Sequence, residues 1–444
     1  MLGDLISARA LMGTSLGFHI IFSTIAIGLP LFFLIAEVIA WRTGDEVYRD
    51  LGQGWGKVAA VLFAVGAVSG TILSFELGLL WPVWMDFSGA IIGLPFTLEG
   101  FAFFTEAIFL ALYIYAWDRL SPRLLVFSTF MVAISAAASA FFVISVNAWM
   151  NQPAGFEMAD GRVVSIDPIK AIFNPAMPYE VTHGTLSAYV ATSFGIAGIY
   201  AIKMLRGDRS HRVRKALKLS MAIAMITIPL QIISGDLSAR FLAHNQPVKF
   251  AAMEAQFETE RGAPLRIGGI VDLEERKTRY AIEIPKLLSF LAYEDFNAEV
   301  RGLNGFPQDE LPPVPIVHYS FQVMLAIGFA LLFVGIWFWA QVWRRKEINP
   351  DKAQLLAIAA TLPLGFIAIE AGWFVTEFGR QPWIIWHIMR TNEGVTPREG
   401  IFVVFIAFVL VYLAISAGLL LLLYRVRGRR PQTAAWARQV RREP

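Results

Sequence analysis

Long apolar runs alternate with short charged connections along this chain. Runs of about twenty residues or more, the length a bilayer's hydrocarbon core requires, fall near 12–41, 55–80, 95–117, 124–149, 178–204, 216–240, 314–344, 354–378 and 400–426. They predict an all-α polytopic membrane protein with nine transmembrane helices arranged as bundles. Six helices belong to 1–240 and three to 314–426, with a polar segment at 241–313 between them and a basic tail at 427–444. Pro247, Gly262, Pro264, Gly268, Gly269, Gly302 and Gly305 are scattered through the polar segment. A loop of about seventy residues is uncommon without a task. Within it, Lys249 to Glu260 has helical character with Phe250, Met253 and Phe257 on one stripe, which predicts a short helix lying on the membrane surface. The plainer reading of the segment is a disordered linker.

Composition agrees with this pattern, since 56% hydrophobic, 13% aromatic and 16% charged residues over 444 positions is a balance soluble domains rarely show. The distribution of basic residues gives an orientation. Twenty-three Lys and Arg fall in 42–57, 118–123, 203–218, 344–352 and after 424, against fifteen on the opposite side. Eight of those fifteen lie in 241–313, which counts little because long loops cross regardless of charge. The N-terminus is therefore expected outside and the C-terminus in the cytoplasm. Asp4 and Arg9 precede the first run without a small-residue cleavage site, so the start reads as a first transmembrane helix and not a removable signal. Cysteine is absent. This excludes disulfides, iron-sulfur clusters and thiolate-ligated or thioether-linked haem, so any haem here must use His, Met or carboxylate.

Several residues inside the runs carry chemistry. His19, in an apolar stretch of the first run, needs a partner and suits either hydrogen-bonded packing or a metal or proton role. Glu99 and Glu106 stand seven residues apart in the third run, which is two turns or ~10 Å along a helix and nearly one face. Buried acids in a bilayer point to a water-lined path, a ligand or both, unless neighbouring hydroxyls or an arginine simply satisfy them. Glu370 and Glu377 repeat the spacing in the eighth run. His183 and Met324 lie at similar depth near the outer starts of the fifth and seventh helices. A methionine there is ordinarily core packing. The most specific stretch is Glu377-Phe378-Gly379-Arg380-Gln381-Pro382-Trp383, which ends an apolar run with an acid, a base, helix breakers and an interfacial aromatic.

With His19, Glu99, His183 and Met324 at their positions, Gly-Arg-Gln-Pro-Trp resembles the signature of subunit I of the cytochrome bd-type quinol:oxygen oxidases, and the resemblance covers essentially the whole chain. It implies a low-spin haem b between His183 and Met324, and a high-spin haem b together with haem d or a further haem b near His19, Glu99 and Glu377. His19 and Glu377 become iron ligands. Trp373 becomes an aromatic between haems, and Arg9 and Arg380 become partners for haem propionates. Glu99 and Glu106 become proton-supplying acids, although the family's spacing between them can be one residue longer than here. Lys249 and Glu254 match the quinol-oxidising positions of the external loop, which lacks the long insertion some members carry. Gly235-Asp236 and Asn147-Ala148-Trp149-Met150 also match, whereas Gln322 stands where the family often has Arg. Glu370 receives no role, and His211, His244 and His387 read as surface residues.

The resemblance further implies a subunit II as heterodimeric partner, allows for small single-helix subunits, and places the chain in a bacterial or archaeal cytoplasmic membrane with quinol and oxygen as substrates. Nothing suggests nucleic acid. His19, Glu99, His183, Met324 and Glu377 all fall in the outer half of their helices under the charge-derived topology, so protons for oxygen reduction are expected to rise from the cytoplasm past Glu106. Six scattered histidines do not make a bis-histidine cytochrome b or a haem-copper oxidase. The rival from another class is a proton-coupled transporter using Glu99, Glu106, Glu370 and Glu377 near the midplane.

Overall fold

The structure, a computed structural model, describes residues 2–160 and 162–427. Nine helices among the described residues are long and apolar enough to cross a membrane. In chain order the first four helices are α1 (Leu2–Thr43), α2 (Glu46–Leu80), α3 (Pro82–Tyr115) and α4 (Pro122–Asn151). Then come β1 (Phe156–Ala159), β2 (Arg162–Ile166), α5 (Pro168–Ile172), α6 (Met177–Leu205) and α7 (His211–Asn245). The long polar segment holds α8 (Pro247–Glu254), β3 (Glu260–Arg261), β4 (Leu265–Ile267), β5 (Ile270–Asp272), β6 (Lys277–Arg279), β7 (Ile282–Ile284), α9 (Leu287–Tyr293) and β8 (Glu299–Val300). The chain ends with α10 (Val314–Arg345), α11 (Lys352–Gly379), β9 (Trp383–Ile385), β10 (Met389–Arg390), α12 (Thr391–Gly394) and α13 (Ile401–Arg427). Apart from Arg427, the basic tail lies outside the described residues.

Local chemistry sets the helix starts. Asp45, Ser121, Ser210 and Asp351 accept first-turn backbone N–H groups at α2, α4, α7 and α11, and Pro122 follows Ser121 at a position with no bond to lose. Two groups of helices result. α1 to α4, with α13 against α1 and α2, form one, and α6, α7, α10 and α11 form the other, the two meeting where α6 packs on α1 and α4. A single large core runs through both, from Phe32 and Phe33 of α1 and Tyr113 of α3 to Phe194 of α6, Met221 of α7 and Phe338 of α10. α3 shows how the bilayer inverts the usual pattern. Phe101, Phe104 and Ile108 face out, more than 60% exposed, while Glu106 and Tyr113 face in. An apolar exterior costs nothing in lipid.

Three expectations change. α1 and α3 each begin well before their apolar runs, α3 by thirteen residues, or ~20 Å of helix. These extensions pack Ala8, Leu11, Trp84, Ile91 and Ile92 against Trp149 and Ile385 as a lobe at one end of the helices. The helix expected over Lys249 to Glu260 ends at Glu254, where Ala255 turns left-handed at φ 46°. It does not lie on a surface with one apolar stripe: every residue from Val248 to Glu254 is buried, and Phe250 joins a different cluster from Met253 and Phe257. The polar segment is not a linker either. It is a nest of antiparallel pairs, β3 with β8 outside β4 with β7 outside β5 with β6.

Candidate functional site

Two histidines are held by the same device. His19 of α1 places Nδ1 2.8 Å from Ser69 Oγ on α2. The Ser69 hydroxyl already donates to the Val65 carbonyl one turn earlier, 3.0 Å away. It therefore accepts from His19 Nδ1–H, which leaves Nε2 as the bare lone pair. The ring lies over the next residue, Gly70, where a Cβ would stand 3.1 Å from His19 Cε1. His183 of α6 repeats this on α7. Its Nδ1 is 3.0 Å from Ser234 Oγ, Ser234 donates to the Gln231 carbonyl at 2.9 Å, and a Cβ on Gly235 would stand 3.2 Å from His183 Cε1. Fixing the tautomer through Nδ1 is what an Nε2 metal ligand needs. Neither serine was singled out by sequence, because Ser-Gly in an apolar run is an ordinary helix-packing pair.

Further candidate groups lie on the neighbouring helices. His183 Nε2 receives the Gln231 side-chain amide at 3.0 Å, and half-buried Met324 of α10 reaches α11, where a Cβ on Gly372 would lie 3.2 Å from its sulfur. Next to Gly372, Trp373 packs on the cluster of Ile20, Ala191 and Ile369, where α1, α6 and α11 meet. On the His19 side, Glu370 of α11 points at α1, with Oε2 3.4 Å from where a Gly17 Cβ would be, and its Oε1 is buried without a hydrogen bond. A second buried acid missed by sequence reading, Glu76 of α2, accepts from Ser15 Oγ at 2.7 Å.

The Glu377 to Trp383 run is a packed junction. Glu377 accepts from Asn147 Nδ2 at 2.6 Å and from Arg380 Nη2 at 2.5 Å. Arg380 is 1% exposed, with Nε and Nη1 left unpartnered. Gly379 makes room for Lys249, since a Cβ there would come within 2.9 Å of the lysine's Cγ and Cε. Lys249 is buried, donating to Asn151 Oδ1 at 3.2 Å and the Thr376 carbonyl at 3.3 Å, with the charges of Glu180, Arg380 and Glu377 around it. Burial lowers its pKa, Arg380 adds to that, and Glu180 and Glu377 oppose it. Lys249 of the polar segment is thus tied to the end of α11. Glu254, at the other end of α8, is also buried, and burial pushes its carboxyl up to about 8 against the opposing Arg266 guanidinium. His318 of α10, buried, hydrogen-bonds the Met253 carbonyl through Nδ1 at 2.8 Å and so pins α8 to α10.

The remaining candidates are more dispersed. Glu99 accepts from Ser139 Oγ of α4 at 2.9 Å, and Glu106, buried, lies within electrostatic reach of it. Arg9, early in α1, is exposed, whereas Arg380 is buried. Gln322 accepts from Gly268 N–H and donates to the Arg266 carbonyl, each at 3.2 Å, holding the loop to α10. His211, His244 and His387 are exposed.

The donor set fits haem iron. Two neutral imidazoles with Nδ1 committed to serine, glycines that leave space over each ring, a thioether and a carboxylate are haem axial ligand types, and the unpartnered nitrogens of buried Arg380 are donors of the kind a propionate takes.

Comparison with known proteins gives the same answer. The family model described as cytochrome bd terminal oxidase subunit I matches residues 7–431. A Bacillus subtilis (strain 168) protein, provisionally named cytochrome bd menaquinol oxidase subunit I, is 42% identical over 96% of this chain and 97% of its own. The same organism's cytochrome bd ubiquinol oxidase subunit 1 is 30% identical over 96% of this chain and 93% of its own. The solved structure of bd oxidase from Geobacillus thermodenitrificans matches with a TM-score of 0.92 at 41% identity, covering 96% of this chain and 99% of that one. By sequence along nearly its whole length and by fold, the chain belongs to the cytochrome bd terminal oxidase subunit I family, and with it to the haem-containing, multi-pass quinol:oxygen oxidoreductases that work with a subunit II.

Proposed function

We propose that quinol is oxidised at the outer loop of this chain and that oxygen is reduced to water with protons drawn from the cytoplasmic side, building a proton gradient without a pump. The observation that carries the reading is the pair of histidine cradles, alike in their serine and glycine. His183 with Met324 would hold a low-spin haem b, closed on both sides. His19 and Glu377, with Glu99 nearby in depth, would serve a high-spin haem b and a haem d or further haem b. When bound, haem supplies the one-electron carriers and the iron at which oxygen is reduced.

The chain's own residues do the rest. Glu254 accepts a quinol proton, and Lys249, anchored on Asn151 and Thr376, ties the quinol loop to the Glu377 junction while its positive charge favours the developing quinol anion. Arg380 and Arg9 would pair with propionates when haem is bound, and Trp373 fills the space between α1, α6 and α11. Glu106 and then Glu99 hold protons on their way outward. The membrane is a bacterial or archaeal cytoplasmic membrane, with the N-terminus outside, the C-terminus cytoplasmic, and room for small single-helix subunits beside subunit II. The proton-coupled transporter is not favoured, since family membership accounts for the same glutamates.

The test is the purified complex with its subunit II in sealed vesicles, supplied with quinol and oxygen. Oxygen consumption with proton uptake from the cytoplasmic face and release at the other is expected. Oxygen consumption with uptake and release on one face would overturn the sidedness.

A further inference from the structure

The mechanism above leaves one buried acid of α1 unused. Glu37 is 2% exposed, and its Oε1 accepts from Tyr113 Oη at 2.7 Å and lies 3.5 Å from Trp117 Nε1. Tyr113 is seven residues after Glu106, which is seven after Glu99, so the three share one inward face of α3 at steps of ~10 Å. Tyr113 itself is fully buried. Glycines of α2 make the space: a Cβ on Gly52 would stand 3.1 Å from Glu37 Oε1 and 3.2 Å from Tyr113 Oη, and one on Gly56 would strike the Tyr113 ring at 2.5 Å.

The site sits at one end of its helices. Glu37 is six residues before the end of α1, Arg49 three after the start of α2, and Tyr113 two before the end of α3. Under the proposed orientation this end is cytoplasmic. The charged and titratable groups facing Glu37 are Tyr113 and, at longer range, Arg49, whose guanidinium lies 4.8 Å over the Trp117 ring and senses exposed Glu46 and Asp118. A carboxylate buried in a bilayer is costly and functional by default.

We infer that Glu37 and Tyr113 are a proton relay at the cytoplasmic mouth of the path to Glu106. This rests on the proposed uptake through Glu106. A proton from the cytoplasmic side binds the Glu37 carboxylate. The resulting acid gives it to Tyr113 Oη as that hydroxyl releases its own proton towards Glu106, through water along the intervening two turns. Only O–H bonds break and form, and one proton moves inward with no net change at either residue. The competing role is a polar clamp joining α1, α2 and α3. Glutamine separates the two, because Glu37→Gln keeps a carbonyl oxygen to accept from Tyr113 but cannot take up a proton.

The experiment uses the full complex with subunit II, comparing E37Q, E37D, Y113F and E106Q by haem spectrum, quinol-driven oxygen consumption from pH 6 to about 9, and proton uptake. The relay predicts unchanged haem spectra, turnover reduced about tenfold or more in E37Q, substantial rescue in E37D, and a slowed, pH-shifted profile in Y113F. Wild-type turnover in E37Q and Y113F while E106Q is slow overturns the relay and leaves the Glu106 route standing. Equal losses in E37Q and E37D with altered haem spectra also overturn it, in favour of the clamp. Wild-type turnover in E106Q removes the route itself and the relay with it.

Discussion

The His19 and His183 cradles are built from the same parts and differ in what they leave open. In both, a serine one turn from its own backbone acceptor accepts a hydrogen bond from Nδ1–H, and the glycine after it leaves room for the ring beside the neighbouring helix. At His183 Nε2 stands the Gln231 side-chain amide, a neutral group. Around His19, α11 brings Glu370 and α2 brings Glu76, acids in a region where every charge is expensive. The lesson is that histidine geometry fixes a tautomer and little else. On the proposed reading, the groups brought up beside each ring would decide between electron transfer and chemistry on oxygen.

The largest effect that sharpens this comparison is Met324→Ala. It should abolish the low-spin spectrum, convert that haem to a form that binds carbon monoxide, and reduce quinol oxidation to background, as read by reduced-minus-oxidised spectroscopy. An unchanged low-spin band would return Met324 to packing. Next is Arg380→Ala, which strips a buried partner from Glu377 and should destabilise the junction by about 1.5–3 kcal/mol, measured as thermal unfolding of the complex in detergent. A variant as stable as wild type would mean that Glu377 and Lys249 do not depend on Arg380.

A smaller effect is set by pH. Burial holds the Glu254 carboxyl at about 8, so the carboxylate able to accept a quinol proton is the minor form at neutral pH and grows as pH rises. Quinol oxidation at limiting quinol should therefore climb through a midpoint near that value, and Glu254→Gln should be slow and flat across the range. A wild-type rate independent of pH would remove Glu254 from the proton path. Smallest is Ser234→Ala. Losing the acceptor for His183 Nδ1–H weakens the imidazole as a donor to ferric iron and should raise the low-spin potential by at most about 40 mV, the equivalent of one hydrogen bond of ~1 kcal/mol. Ser69→Ala should leave that potential unchanged, and a redox titration of both variants decides it.

Much of this was legible in the sequence, for physical reasons that also explain the gaps. Apolar length alone gives nine crossings, because the bilayer imposes it. It does not give the N-terminal extensions of α1 and α3, where Asp4, Arg9, Asp86 and Ser88 interrupt the apolar pattern although one face is buried. Glu99, Glu377 and His183 stood out as polar residues in apolar runs, whereas Met324 was singled out only by the family resemblance. By the same criterion Glu37 and Glu76 also deserved notice, and the test that flagged Glu99 would have found them. Ser69-Gly70 could not be found so, nor could the burial of Lys249, since each depends on a helix distant in sequence.

The measurement that bears most directly on the difference between the cradles is a reduced-minus-oxidised visible spectrum of the complex with subunit II, taken with and without carbon monoxide, for wild type, His183→Ala and His19→Ala. The account predicts that His183→Ala loses the low-spin haem b band and keeps the carbon monoxide response, while His19→Ala keeps the low-spin band and perturbs that response. The reverse pattern, or a well-folded wild-type complex without haem, would contradict it.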